Sequence, residues 1–123
     1  VDIAKETEFL ERHKGIFVYS YHAHIKNAHL TEYPEPPSFN DFCADKGFRE
    51  RASKKGKRVI SRIVEKNGVW EYSSSEILPP INLDEMIQHE LENGSSLNDR
   101  IERLIKSYAR FDVPKIRFCK RSF

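Results

Sequence analysis

Asn67-Gly68 constrains this chain more than any other dipeptide. It lies between two runs rich in β-branched and aromatic residues, 58–64 and 69–73. Asn-Gly in that setting is a strong hairpin signal, because both residues tolerate the positive φ that a tight reversal needs. A hairpin also sorts its side chains. Val59, Ser61 and Ile63 share one face, and Ile60, Arg62 and Val64 the other. A two-stranded ribbon is marginal alone, so further strands and helices must cover it.

Two other segments read as strands. Residues 16–25 are rich in aromatic and β-branched types. Residues 115–121 alternate, with Ile116 and Phe118 inward and Lys115, Arg117 and Cys119 outward. Residues 2–13 read as a helix capped by Asp2, with Ile3, Phe9 and Leu10 on one face and Gly15 as its stop. The prolines of 33–37 exclude helix and central strand. Ser38 opens a helix that buries Phe39, Phe42 and Cys43 and is expected to break at Gly47, with Lys54–Lys57 as exposed loop.

A helical hairpin follows Pro79-Pro80. Asn82 with Glu85, and Ser96 with Asp99, have capping-box spacing. Leu83, Met86, Ile87 and Leu91 form one apolar stripe, and Leu97, Ile101, Leu104, Ile105 and Tyr108 another. Arg100, Arg103, Ser107 and Arg110 fall on the opposite side of the second helix. The order α-β-α-β-β-α-α-β predicts one α+β domain over 1–123. Its mostly antiparallel sheet of about four strands carries the helical hairpin and further short helices.

Composition fits a folded domain with a modest core: hydrophobic residues make up 38% and charged residues 33%, but aromatics reach 11%. Cys43 and Cys119, 76 positions apart, suit reduced thiols in a cytoplasmic protein better than a disulfide framework. No apolar stretch is long enough for a membrane span, and the acidic N-terminal residues do not suit a signal peptide.

Charge is sorted along the chain although the net is only +2. Residues 46–62 are strongly basic, 67–99 contain acids but no Lys or Arg, and the residues from 100 onward are again basic. Such blocks can build a strong local potential, and a polyanion is the first partner to expect. The expected function is therefore nucleic-acid binding, DNA or RNA, as a regulator or accessory factor. The surface would be Arg49, Arg51, Lys54, Lys55, Lys57, Arg58 and Arg62, supported by Arg117, Lys120 and Arg121, with Phe48 or Trp70 stacking on an unpaired base. No cofactor or metal is expected, because no Gly-rich phosphate loop or Cys knuckle is present.

Other readings use other residues. Residues 39–55, with a turn at Lys46-Gly47, have the lengths of a helix-turn-helix, and the 58–74 hairpin would be its wing. Leu78-Pro79, a helix, and then the segment Glu92 to Ile101 resemble the inter-helix region of Arc-type ribbon–helix–helix repressors. That resemblance implies a dimer whose paired strands, here residues 73–78, enter the major groove.

His22 and His24 point to one face of a strand, with His29 following. Such a pair suits either zinc binding, although neither Cys nor carboxylate stands at a recognisable ligand spacing, or the roles of acid and base in a small toxin-type nuclease, with Arg62 stabilising the phosphorane. Parity with Tyr19 and Tyr21 predicts that the histidine face is the exposed one. Finally, the acidic surface from Glu71 to Glu92 suits a protein-interaction or inhibitor module. The charge blocks also permit a homo-oligomer.

Overall fold

The hairpin forms where the sequence places it. The computed structural model describes residues 2–24, 32–73, 78–113 and 115–120. In it, β2 (Arg58–Glu65) and β3 (Gly68–Tyr72) pair antiparallel with Glu65 opposite Gly68. The turn is thus Lys66-Asn67, one residue earlier than the Asn-Gly pair suggests. Around the hairpin stand α1 (Ile3–Arg12), β1 (Phe17–Ala23), α2 (Phe39–Lys54), α3 (Leu83–Asn93), α4 (Leu97–Arg110) and β4 (Arg117–Lys120). This is an α+β fold with a four-stranded sheet in the order β1-β2-β3-β4. Two of the three pairings are antiparallel, while β1 runs parallel to β2. The parallel pair needs a crossover, and α2 lies in that connection.

Register gives the sheet two unlike faces. On one, Val18 lies beside Val59, Ser20 beside Ser61 and Tyr72, and His22 beside Ile63, Trp70 and Phe118. The helices pack here. Phe42, Leu83, Ile87, Ile101, Leu104 and Tyr108 enclose Ile63, Trp70 and Tyr72, while Leu10 and Ala52 close over Val18 and Val59. Trp70, Leu104 and Tyr108 have no exposed surface. The opposite face carries Phe17, Tyr19 and Tyr21 next to Arg58, Ile60 and Arg62, with Glu71 and Arg117 beyond. No described helix contributes to it.

Several expectations are corrected. The helix does not break at Gly47: α2 runs unbroken to Lys54, so there is no helix-turn-helix between residues 39 and 55. A mid-helix Gly costs about 1 kcal/mol. The capping box of Ser38 with Asp41, and the burial of Phe42, Arg49 and Ala52, outweigh it. Asn82 makes no side-chain cap on α3. Asp84 in that first turn instead accepts the Phe39 N–H at 2.9 Å. Arg100 and Ser107, expected outward on α4, are buried. Arg100 Nε donates to the Leu91 carbonyl and Nη1 to the Glu32 carbonyl, both at 2.9 Å, so it ties α4 to α3 and to the chain before the prolines.

On β1 the helices cover Val18 and leave the tyrosines to solvent, while His22 is exposed as expected, with 59% of its side chain in solvent, and His24 is only 19% exposed. Residues 74–77, most of the expected repressor-like ribbon, lie outside the described residues, as do Ile25, His29 and Arg121.

Candidate functional site

The open sheet face is built by the alternation of β1 and β2. Phe17, Tyr19 and Tyr21 are 49%, 48% and 62% exposed, which is unusual for three aromatics in a row on one strand. Arg62 lies across them. Its guanidinium sits 4.2 Å from the Tyr19 ring centroid and 5.6 Å from that of Tyr21, and it donates to the Tyr21 hydroxyl at 2.6 Å. Glu71, opposite Arg62 in the β2–β3 register, accepts from Arg117 Nη2 at 2.6 Å and lies 3.7 Å from Arg62. The result is an aromatic platform edged by guanidinium groups, with one carboxylate holding two of them.

The expected basic surface is not one patch. Arg49 is 9% exposed and donates to the Val59 carbonyl and to Ser61 Oγ. Burial lowers its pKa, and the nearby Tyr72 and Asp45 oppose that shift. Arg51 pairs with Glu6 and Lys55 with Glu11, so α2 binds α1 through charge. Lys57 Nζ donates to the carbonyls of His13 and Gly15 and closes the turn between α1 and β1. These residues hold the fold together. Lys54, Arg58 and Lys120 remain exposed, and no ion pair engages them among the described residues. Trp70 is buried and Phe48 is half-buried against the Val18–Val59 core, so neither presents a ring on the open face. The aromatics that do so, Tyr19 and Tyr21, carried their signal in the period-2 pattern of β1.

The acidic block is likewise divided. Glu90 is buried, accepting from Ser107 Oγ at 2.6 Å and pairing with Arg103 at 3.3 Å. Asp84 caps Phe39 and Glu71 is held by arginines, which leaves Glu85 and Glu92 exposed.

On the helix-covered face, at its β1 edge, His22 and His24 converge on Asp41. His22 Nε2 is 3.3 Å from Oδ1, and His24 Nε2 is 3.2 Å from Oδ2. Asp41 stands at the third position of α2, where Oδ2 accepts the Ser38 N–H at 2.8 Å. Burial pushes its pKa up, but His24 and Ser38 outweigh that and hold it below the ordinary value. Asp41 in turn raises His24 against the opposing effect of burial. No family model, curated protein or solved structure matches this chain. The function must therefore be read from these two sites. Arg62 does not join the histidines, because its guanidinium lies over the tyrosines on the other face. Asp41, 17 positions after His24, carried no sequence signal as a partner of the histidines.

Proposed function

We propose that the domain binds single-stranded nucleic acid on the open face of its sheet, as a regulator or accessory factor. The observation that carries this reading is the row Phe17, Tyr19 and Tyr21, exposed on one strand and bordered by Arg58, Arg62 and Arg117. Bases in a duplex are stacked away from such a surface, whereas unpaired bases can lie flat on it. Stacking on an aromatic side chain contributes about 1–3 kcal/mol per base and tolerates any base. Guanidinium groups add phosphate contacts and can themselves stack on base planes. The contacting set is thus narrower than the basic stretches of the sequence and includes two tyrosines.

The test is fluorescence anisotropy with labelled single-stranded RNA and DNA and a duplex, at several salt concentrations. Binding should favour single strands, and log K should fall with log salt by about 0.7 per phosphate contact. Tyr19→Ala with Tyr21→Ala should weaken binding at least about tenfold. Absence of binding to any strand, or an unchanged affinity in the double variant, would overturn the reading.

A further inference from the structure

Three side chains at the β1 edge of the helix-covered face bring possible ligand atoms together. A ring nitrogen of His22, a ring nitrogen of His24 and a carboxylate oxygen of Asp41 all lie within 4.8 Å of one another. We propose that His22, His24 and Asp41 bind one divalent transition-metal ion of the zinc type.

The protonation pattern of His24 leaves one ring nitrogen facing the carboxylate. His24 Nδ1 lies 3.0 Å from the Glu35 carbonyl oxygen. A carbonyl only accepts, so Nδ1 carries the proton. In a neutral imidazole Nε2 is then bare, and it faces a carboxylate oxygen that also only accepts. A proton on Nε2 shared with Asp41, or a metal ion in its place, resolves the opposition. A ring N–H donated to a backbone carbonyl is also the usual outer contact of a metal-ligating histidine, because it fixes the ring and makes the other nitrogen more basic.

Ligand atoms around a tetrahedral zinc, each about 2.0–2.1 Å from the metal, stand about 3.3 Å apart. The His22–Oδ1 and His24–Oδ2 separations are 3.3 and 3.2 Å, so the Asp41 carboxylate presents one oxygen to each histidine at that spacing. The two imidazoles meet edge to face, 88° between planes, as rings converging from different directions do.

The surroundings fit as well. Oδ2 of Asp41 accepts from Ser38 and faces His24, and Oδ1 faces His22. A pocket of about 20 Å³ lies among His22, Asp41, Asp45, Ser61 and Tyr72. That space suits a water molecule or an ion. A groove of about 400 Å³ between α1 and β1 shares Ser20 and Asp45 with it. Two imidazoles and one carboxylate favour zinc-type ions over magnesium or calcium, which prefer all-oxygen shells. Three protein ligands leave a coordination position for water, the pattern of reactive and not purely structural zinc sites.

This inference does not rest on nucleic-acid binding, since the two sites lie on opposite faces of the sheet. The test uses the full chain stripped with a chelator, dialysed, and titrated with Zn²⁺ by calorimetry and with Co²⁺ by visible absorption. One equivalent should bind, and histidine ¹⁵N spectra should shift at Nε2 of both His22 and His24. His22→Gln changes an exposed side chain and should keep the helical circular-dichroism signal while weakening Zn²⁺ at least about tenfold. Asp41→Asn should do so more strongly. No stoichiometric uptake, a His22→Gln protein that binds as well as the parent, or shifts confined to other histidines would each overturn the site. Protons on the two Nε2 atoms would then hold the cluster instead.

Discussion

Glu65 and His24 grip the two sides of one residue: the Glu65 carboxylate accepts the N–H of Glu35, and His24 Nδ1 donates to the Glu35 carbonyl. The Trp70 indole N–H, 2.9 Å away, shares the same Glu65 oxygen. A buried carboxylate at the end of β2 therefore sets the position of the peptide that orients His24.

Burial raises the pKa of Glu65, with contacts from Trp70, Glu35 and Asn67 opposing that shift. The folded value lies above the ordinary 4.5, so the folded protein holds this proton to higher pH than the unfolded chain does. Stability should then fall as pH rises from 4.5 through the folded value, and stay lower above it. Glu65→Gln removes that slope and keeps an acceptor for both donors. Urea denaturation across this pH range should show the parent losing stability relative to Glu65→Gln. Glu65→Ala orphans two buried donors, at about 1–3 kcal/mol each, and should also loosen Zn²⁺ binding through His24. Parallel pH profiles for the parent and the Gln variant would remove the argument.

Arg49 and Lys54 sit one and a half turns apart on α2, but only Arg49 turns inward. Arg49→Ala removes the buried donors to the Val59 carbonyl and Ser61 Oγ and should cost about 1–3 kcal/mol in urea melts. Lys54→Ala should stay within about 0.5 kcal/mol of the parent. If the two variants are equally stable, Arg49 is not the strut described here.

Local signals were legible in the sequence where local physics decides. The β2–β3 hairpin, the Ser38 and Ser96 caps and the alternation of β4 depend on residues a few positions apart, and each appears. What failed depends on packing. Nothing near Gly47 announces that α2 continues, because the compensation comes from Phe42 and Ala52 against the sheet. Period-2 parity separated the two faces of β1, but which face is covered depends on where α1 and α2 land. The same reason hid the meeting of Asp41 with His22 and His24, and the internal pairing that withdraws Arg49, Arg51 and Lys57 from the surface.

Gly94, at the end of α3, has a role its sequence position only half explains. Its φ is −75°, which any residue adopts, yet a Cβ there would stand 2.2 Å from Arg100 Cγ. Arg100 is buried and pinned to the Leu91 and Glu32 carbonyls, so its stem cannot swing away cheaply. Gly94→Ala should therefore destabilise by about 1–3 kcal/mol. Adding Arg100→Ala removes the clash, so the double variant should lose less than the sum of the two single changes. Strict additivity in thermal or urea melts would show that the contact is not what fixes glycine at this position.

Glu71 offers the sharpest test of the open face. It holds Arg117 and Arg62 together, and both guanidinium groups are thereby partly neutralised where a phosphate would dock. Glu71→Gln removes the only carboxylate among the described residues of that arginine pair's immediate contacts, while keeping the side-chain shape. Exposed ion pairs of this kind contribute at most about 1 kcal/mol, so the fold should tolerate the change. Affinity for single-stranded nucleic acid should rise at least about threefold at low salt, with a steeper salt dependence. Stripping bound metal should leave this gain intact, because the histidine cluster lies behind the sheet. Unchanged or weaker binding by Glu71→Gln would mean that phosphates do not approach Arg62 and Arg117, and the tyrosine platform would lose its cationic border.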